Sequence, residues 1–232
     1  MTAPAVKGYN GRKAMFYYLF RGGIKVLMAV FSRCRVHGLE NIPLSGGVII
    51  VANHVNLLDS PILGVSLKRR LYFMAKEELF DSAFTRWLVT QFGAFPVAKG
   101  KLDRRAGKTA LRLLGKGEAL FLYPEGKRSA DGKLGPAYIG AAMLSVRSGV
   151  PILPVGISGT SQLVGKWWWL RRPAIDIRIG EVFKVGASGE AVRDRDYIQA
   201  VTRDIMLRIA ALLPLEYNGR YAEEAAFETA NY

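Results

Sequence analysis

Cysteine is almost missing: Cys34 is the only one in 232 residues. That excludes an internal disulfide and a zinc site built from thiolates, and it fits a reducing cytosol. Cys34 itself reads as a small buried hydrophobe. Long apolar runs are missing too. The first thirty-five residues have neither the uninterrupted core nor the small-residue cleavage site of a signal peptide, and Arg21 and Lys25 interrupt what would otherwise be a membrane span, so no transmembrane helix is expected. There is no internal repeat, no low-complexity run and no linker long enough to divide the chain. Negative charge is in deficit: 19 acidic residues face 33 lysines and arginines, a net charge of +14. Such a surface attracts something anionic, whether nucleic acid, an anionic membrane leaflet or a phosphorylated substrate.

About half of the residues are apolar, enough for one substantial core. Strand patterns fall at Val48 to Ala52, Leu71 to Ala75, Ala119 to Tyr123, Pro151 to Ile157 and Ile175 to Ile179. Helical patterns fall at Leu58 to Ser66, Ala83 to Phe92, Arg104 to Leu114, Tyr138 to Arg147 and Asp196 to Leu212. The order predicts an α/β fold, a single domain with a mixed, mostly parallel sheet flanked by helices. Before it, 1–35 form an N-terminal region. On a wheel of 3.6 residues per turn Met15, Phe16, Leu19, Phe20, Val26, Leu27, Val30 and Phe31 share one face, and Lys13, Tyr17, Arg21, Lys25, Ser32 and Arg35 the other. This predicts an amphipathic helix that lies in a membrane interface with its cations on headgroups, or else packs on the core with its cations solvated. The domain proper is placed at 36–214, and 215–232 form a tail made acidic by Glu223, Glu224 and Glu228.

Chemistry enters at Asn53-His54-Val55-Asn56-Leu57-Leu58-Asp59, directly after the apolar run Val48 to Ala52. A histidine titrates near neutrality and can take a proton from an attacking hydroxyl. An aspartate five residues on, folded back by a helix start, can fix its tautomer and stabilise the imidazolium. Three further segments sit where strands should end, the place at which open sheets bind ligands. Tyr123-Pro124-Glu125-Gly126-Lys127-Arg128-Ser129 offers glycine for close approach of backbone, with Lys127 and Arg128 to hold a phosphate and Glu125 to organise them or to orient a glycerol hydroxyl; otherwise it is a polar turn with solvated charges. Gly93 to Gly100 carries Lys99, a point-charge partner for a phosphate, or is simply a strand with a basic turn. Val150-Pro151-Ile152-Leu153-Pro154-Val155 reads as a buried strand whose prolines fix its entry and its edge.

Taken in order, these four segments resemble the glycerolipid acyltransferase superfamily, typified by 1-acylglycerol-3-phosphate acyltransferases, with its blocks NHxxxxD, GxxPVxR, FPEGTRS and VPIxPV. The resemblance spans roughly positions 36 to 180. It implies that His54 is the general base and Asp59 its partner, and that Lys99, Glu125, Gly126 and Arg128 bind the glycerol phosphate. Asn53, Gly93, Pro124 and Pro151 are the structural positions of the blocks. Lys99 stands where the family usually has arginine, Lys127 where it has threonine and Tyr123 where it has phenylalanine. Lysine keeps the charge but loses the bidentate fork.

The reaction so implied is direct transfer from an acyl thioester, acyl-coenzyme A or acyl carrier protein, to a lysophospholipid hydroxyl, with no protein nucleophile, cofactor or metal. The resemblance points to 1-acylglycerol 3-phosphate as acceptor; glycerol 3-phosphate, another lysophospholipid or a lyso-aminolipid stay open. Ser60 lacks the glycine-flanked elbow of a nucleophile and reads as a helix-starting residue. His37 reads as a capping or packing residue. Trp167-Trp168-Trp169-Leu170, followed by Arg171 and Arg172, suits the zone between headgroups and acyl chains, so Trp167, Trp168 and Trp169 join Phe16 and Phe20 as expected membrane contacts, unless two of the three tryptophans are core. The expected setting is peripheral, on the cytoplasmic face of an anionic phospholipid membrane. A nucleic-acid binder using the Lys99 to Lys108 patch would explain the charge but not His54 with Asp59, so no nucleic-acid partner is expected. A non-catalytic lipid binder would have no use for that pair.

Overall fold

The computed structural model describes residues 11–98, 103–186 and 194–224, and the side chains of the first helix from Leu19 onward. Lys99 therefore lies outside the described residues, as does the side chain of Phe16. The elements run α1 (Gly11–Phe31), β1 (Arg33–His37), β2 (Val48–Ala52), α2 (Asp59–Ser66), β3 (Leu71–Lys76), α3 (Ala83–Gln91), β4 (Ala94–Val97), α4 (Arg104–Gly115), β5 (Ala119–Leu122), α5 (Gly140–Ser148), β6 (Ile152–Ser158), β7 (Ala174–Ile179) and α6 (Arg195–Ala211). The seven strands form one sheet in the order β1-β7-β6-β2-β5-β3-β4. Every neighbouring pair is parallel except β6 with β7. This is the mixed, mostly parallel sheet the pattern predicts.

The central strand shows why an unbroken apolar run forms a strand here. In β2, Ile49 and Val51 face a core shared with α4, α5 and α6, while Val48, Ile50 and Ala52 face a second core with α2. Helices on both faces leave all five residues buried, so no polar alternation is needed. In β5, Leu120 and Leu122 take the first side, Ala119 and Phe121 the second. Tyr123, next in that alternation, packs on the α2 side.

Three expectations change. The first helix ends at Phe31, and Ser32 and Arg35 lie beyond it: Arg33–His37 form an edge strand paired in parallel with β7. Arg-Cys-Arg-Val-His alternates exposed and half-buried residues, so the strand sits on the core with one face only. Arg21 does not face outward with the other cations. Its guanidinium donates to the carbonyls of Val65 at 3.3 Å and Leu67 at 2.5 Å, closing the last turn of α2, where orphan carbonyls need a donor. Leu19, Val26, Leu27 and Val30 are left exposed on the outside. Finally, β6 is interior, between β7 and β2, so Pro154 is not at an edge. It fits because its carbonyl accepts from Gly180 N, while the next bonds beyond β7 pass between Ile152 and Phe183, leaving an interruption where Pro154 lacks its donor.

Candidate active site

The site sits at the carboxyl ends of β2 and β5. Asn53, the first residue past β2, is buried. Its side chain continues the ladder in place of backbone, with Nδ2 donating to Ile157 O and Oδ1 accepting from Ile157 N, both at 2.8 Å. The chain then turns. Asn56 Oδ1 accepts from Leu58 N at 3.0 Å, and Asn56 O accepts from Asp59 N at 3.1 Å, so α2 starts at Asp59.

That start sets the carboxylate beneath the ring. Asp59 Oδ2 accepts from Val55 N and Asn56 N, each at 2.7 Å, and lies 2.9 Å from His54 Nδ1. The Asp59 side chain is fully buried and that of His54 is 15% exposed. Asp59 Oδ1 is buried with no hydrogen-bond partner among the described residues. The first turn of a helix favours an anion, and a carboxylate that accepts at Nδ1 puts the ring proton there. His54 Nε2 is then the unprotonated nitrogen, which can take a proton from a hydroxyl.

The block after β5 closes over this pair. Ser129 N donates to His54 O at 2.7 Å. Glu125, only 3% exposed, accepts from His54 N through Oε1 at 3.2 Å and from Gly135 N through Oε2 at 2.9 Å. Burial pushes its carboxyl up, against the pull of those two amides. Both oxygens of Glu125 are thus engaged by backbone, and its carboxylate braces the His54 loop. Gly126 has φ +63°, and a Cβ there would lie 2.8 Å from the Tyr138 ring, so both conformation and space require glycine. Pro124 is buried and accepts from Tyr138 N at 2.8 Å. Lys127 and Arg128 are exposed on the same turn, free to meet an anion.

Of the remaining sequence positions, Gly93 has φ +75° and would drive a Cβ to 2.6 Å from Leu71 O. Pro151 O accepts from Ile49 N at 3.0 Å, which registers β6 on β2. Ala98, the residue before Lys99, donates to Asp103 Oδ2 at 3.0 Å; Asp103 also accepts from Arg105 N and Ala106 N as the cap of α4, and these amides hold its carboxyl below the usual range. Trp168 packs half-buried against the α2-side core, whereas Trp167 and Trp169 are exposed. Phe20 is exposed on α1 and meets Phe92 edge-on at 5.0 Å. Two contacts escape any reading of local pattern: the Tyr123 ring stacks on His54, and its hydroxyl lies 2.9 Å from Ser60 Oγ.

A family model described as acyltransferase matches residues 33–158, more than half of the chain. The chain belongs to the acyltransferase family. The matched stretch of this acyltransferase contains β1 to β6, the His54–Asp59 pair and the Glu125 brace. Relatives include a chloroplastic 1-acyl-sn-glycerol-3-phosphate acyltransferase of Brassica napus, 30% identical over 158 residues, which are 66% of this chain and 45% of the relative. Another is the 1-acyl-sn-glycerol-3-phosphate acyltransferase of Bacillus subtilis, 28% identical over 62% of this chain and 72% of the relative. The chain thus spans under half of the plant relative's length. Among solved structures, the 1-acyl-sn-glycerophosphate acyltransferase PlsC of Thermotoga maritima superposes with a TM-score of 0.63 at 29% identity, covering 86% of this chain and 82% of that one.

Proposed function

We propose that this chain moves a fatty acyl group from an acyl thioester to the free hydroxyl of 1-acylglycerol 3-phosphate, forming phosphatidic acid. The observation that carries this reading is the half-enclosed His54 on a fully buried Asp59 at the strand ends, beside the exposed cations Lys127 and Arg128, in a chain whose relatives bear that activity in their names. In this mechanism His54 Nε2 removes the acceptor's proton as the oxygen attacks the thioester carbonyl. The tetrahedral intermediate collapses with breakage of the C–S bond, and the departing thiolate takes the proton from the imidazolium. Thioesters are already activated, so a positioned acceptor and a base worth roughly 10²–10⁴ in rate are enough. Arg128 and Lys127, with Lys99, hold the phosphate; Glu125 serves by bracing His54 rather than by touching glycerol. The donor is acyl-coenzyme A or acyl carrier protein, either of which suits a net charge of +14.

The same reading places the enzyme on the cytoplasmic face of an anionic bilayer. Support comes from the outward Leu19, Val26, Leu27 and Val30 of α1 and from Trp167, Trp169 and Leu170 alongside it. The two parts are joined: Phe31 meets Trp169 edge-on at 5.9 Å, and Arg172 donates to Ala29 O at 3.0 Å while holding φ +44°. Among the described residues no helix is long and apolar enough to cross a membrane.

The test uses anionic vesicles carrying 1-acylglycerol 3-phosphate and palmitoyl-coenzyme A or palmitoyl acyl carrier protein. Thiol release with matching phosphatidic acid is expected, and its loss in His54→Ala. No product with either donor would overturn the assignment. Replacing Trp167 and Trp169 together by serine should lower partition to the vesicles, and unchanged partition would remove the membrane part alone.

A further inference from the structure

We propose that Tyr123 is a positioning residue that clamps the His54–Asp59 pair, its ring lying flat on the imidazole and its hydroxyl tied to the start of α2. The inference rests on the reading of His54 as the base.

The geometry is specific. The ring centroids of Tyr123 and His54 are 3.8 Å apart and the planes differ by 9°. Near-parallel aromatic stacking at this distance is a favourable contact for the neutral ring. A cation over an aromatic face is a favourable arrangement, so the stack suits the imidazolium that forms when His54 takes the acceptor's proton. Tyr123 also meets Phe121 edge-on, at 4.9 Å and 80°.

A phenylalanine would stack in the same way. What tyrosine adds is the hydroxyl, 2.9 Å from Ser60 Oγ. Ser60 is the second residue of α2 and follows Asp59 directly. Tyr123 therefore touches the ring of the base and holds the turn that carries its carboxylate. Burial, then the charge of Asp59, pushes the phenol well above its ordinary range, so the hydroxyl stays neutral and available for that bond. The imidazole is then held by Asp59 at Nδ1 and by Tyr123 across one face, two contacts that oppose rotation of the ring, and Nε2 keeps its aim through each protonation cycle.

The chain has only His37 and His54, so their ring protons can be assigned by NMR from His37→Ala. The His54 signals are expected upfield, shifted by the Tyr123 ring current. Tyr123→Met, which roughly conserves volume, should abolish that shift and lower kcat roughly tenfold, with KM for the acceptor changing less than about twofold. Tyr123→Phe should keep the shift and restore most of kcat, and Ser60→Ala should match Tyr123→Phe. A kcat for Tyr123→Met within about twofold of the parent, or a loss of kcat with the His54 signals unmoved, would overturn the clamp. If Tyr123→Met does not fold, His54 signals without an upfield shift in the parent and in Tyr123→Phe overturn it equally. The NMR arm needs no turnover, whereas product from His54→Ala would sink the base reading instead.

Discussion

His54–Asp59 and His37–Asp176 are pairs of the same chemistry at nearly the same length, 2.9 and 3.0 Å. In the first, the side chains are 15% and 0% exposed; in the second, 59% and 30%. Asp59 takes two backbone amides besides the ring and lies in the first turn of a helix. Asp176 shares its charge with Arg178 at 2.8 Å, on the outer side of the sheet with two strands between β1 and β2. Separation alone therefore does not make a candidate base. A buried carboxylate whose geometry is fixed by backbone, at the carboxyl ends of interior strands, does what an exposed ion pair cannot: it holds one tautomer and one ring direction.

The sharpest way to break the comparison is to change both carboxylates to amides. Asp59→Asn is expected to lower kcat by roughly 10²–10⁴, because the amide no longer enforces a proton on Nδ1 and no longer stabilises the imidazolium. Its KM for the acceptor should move little. Asp176→Asn is expected to leave kcat unchanged. Equal losses in the two variants of acyl transfer would mean that burial does not distinguish the pairs.

A smaller effect is expected from the brace. In Glu125→Gln one backbone amide, His54 N or Gly135 N, meets an NH₂ group in place of an oxygen, and the unmet donor should cost about 1–3 kcal/mol in urea unfolding. The pH dependence has a definite sign. Since burial raises the Glu125 carboxyl, the folded chain keeps its proton to higher pH than the unfolded one. Its contribution is fully present below the ordinary carboxylate range and is lost as pH rises through the raised value. The stability advantage of the parent over Glu125→Gln should accordingly shrink with rising pH in that window. A growing advantage would show that the two backbone amides outweigh burial.

Much of this frame is legible in the sequence, because local forces decide it. The run Val48 to Ala52 is a strand wherever helices cover both faces, and the spacing of His54 and Asp59 needs only a helix start between them. Other features depend on distant partners. Arg33–His37 looks polar and continues the helical wheel; only β7 beside it makes it a strand. Arg21 belongs to the polar side of α1 by pattern, yet the carbonyls it caps lie 44 and 46 residues away. Glu125 sits among cations in the sequence, and its carboxylate turns inward because two backbone donors, from the loops of His54 and Gly135, meet there. The Tyr123 stack follows from the parallel register of β2 and β5, which no single segment encodes.

The smallest effect belongs to the outer pair, and it is the control on which the contrast depends. His37→Ala removes an ion pair that exists only while the ring is protonated and that competes with Arg178 for the same carboxylate. Exposed pairs contribute about 0–1 kcal/mol, and here Asp176 retains its arginine, so the loss should sit at the low end of that range. The measurement is a pair of urea titrations, at low salt and at about 1 M salt. A small difference between parent and variant that fades at about 1 M salt identifies a screened surface pair. A larger, salt-insensitive difference would mean that β1 is held to β7 by this contact, and the outer pair would then share with the inner one a structural role that its exposure argues against.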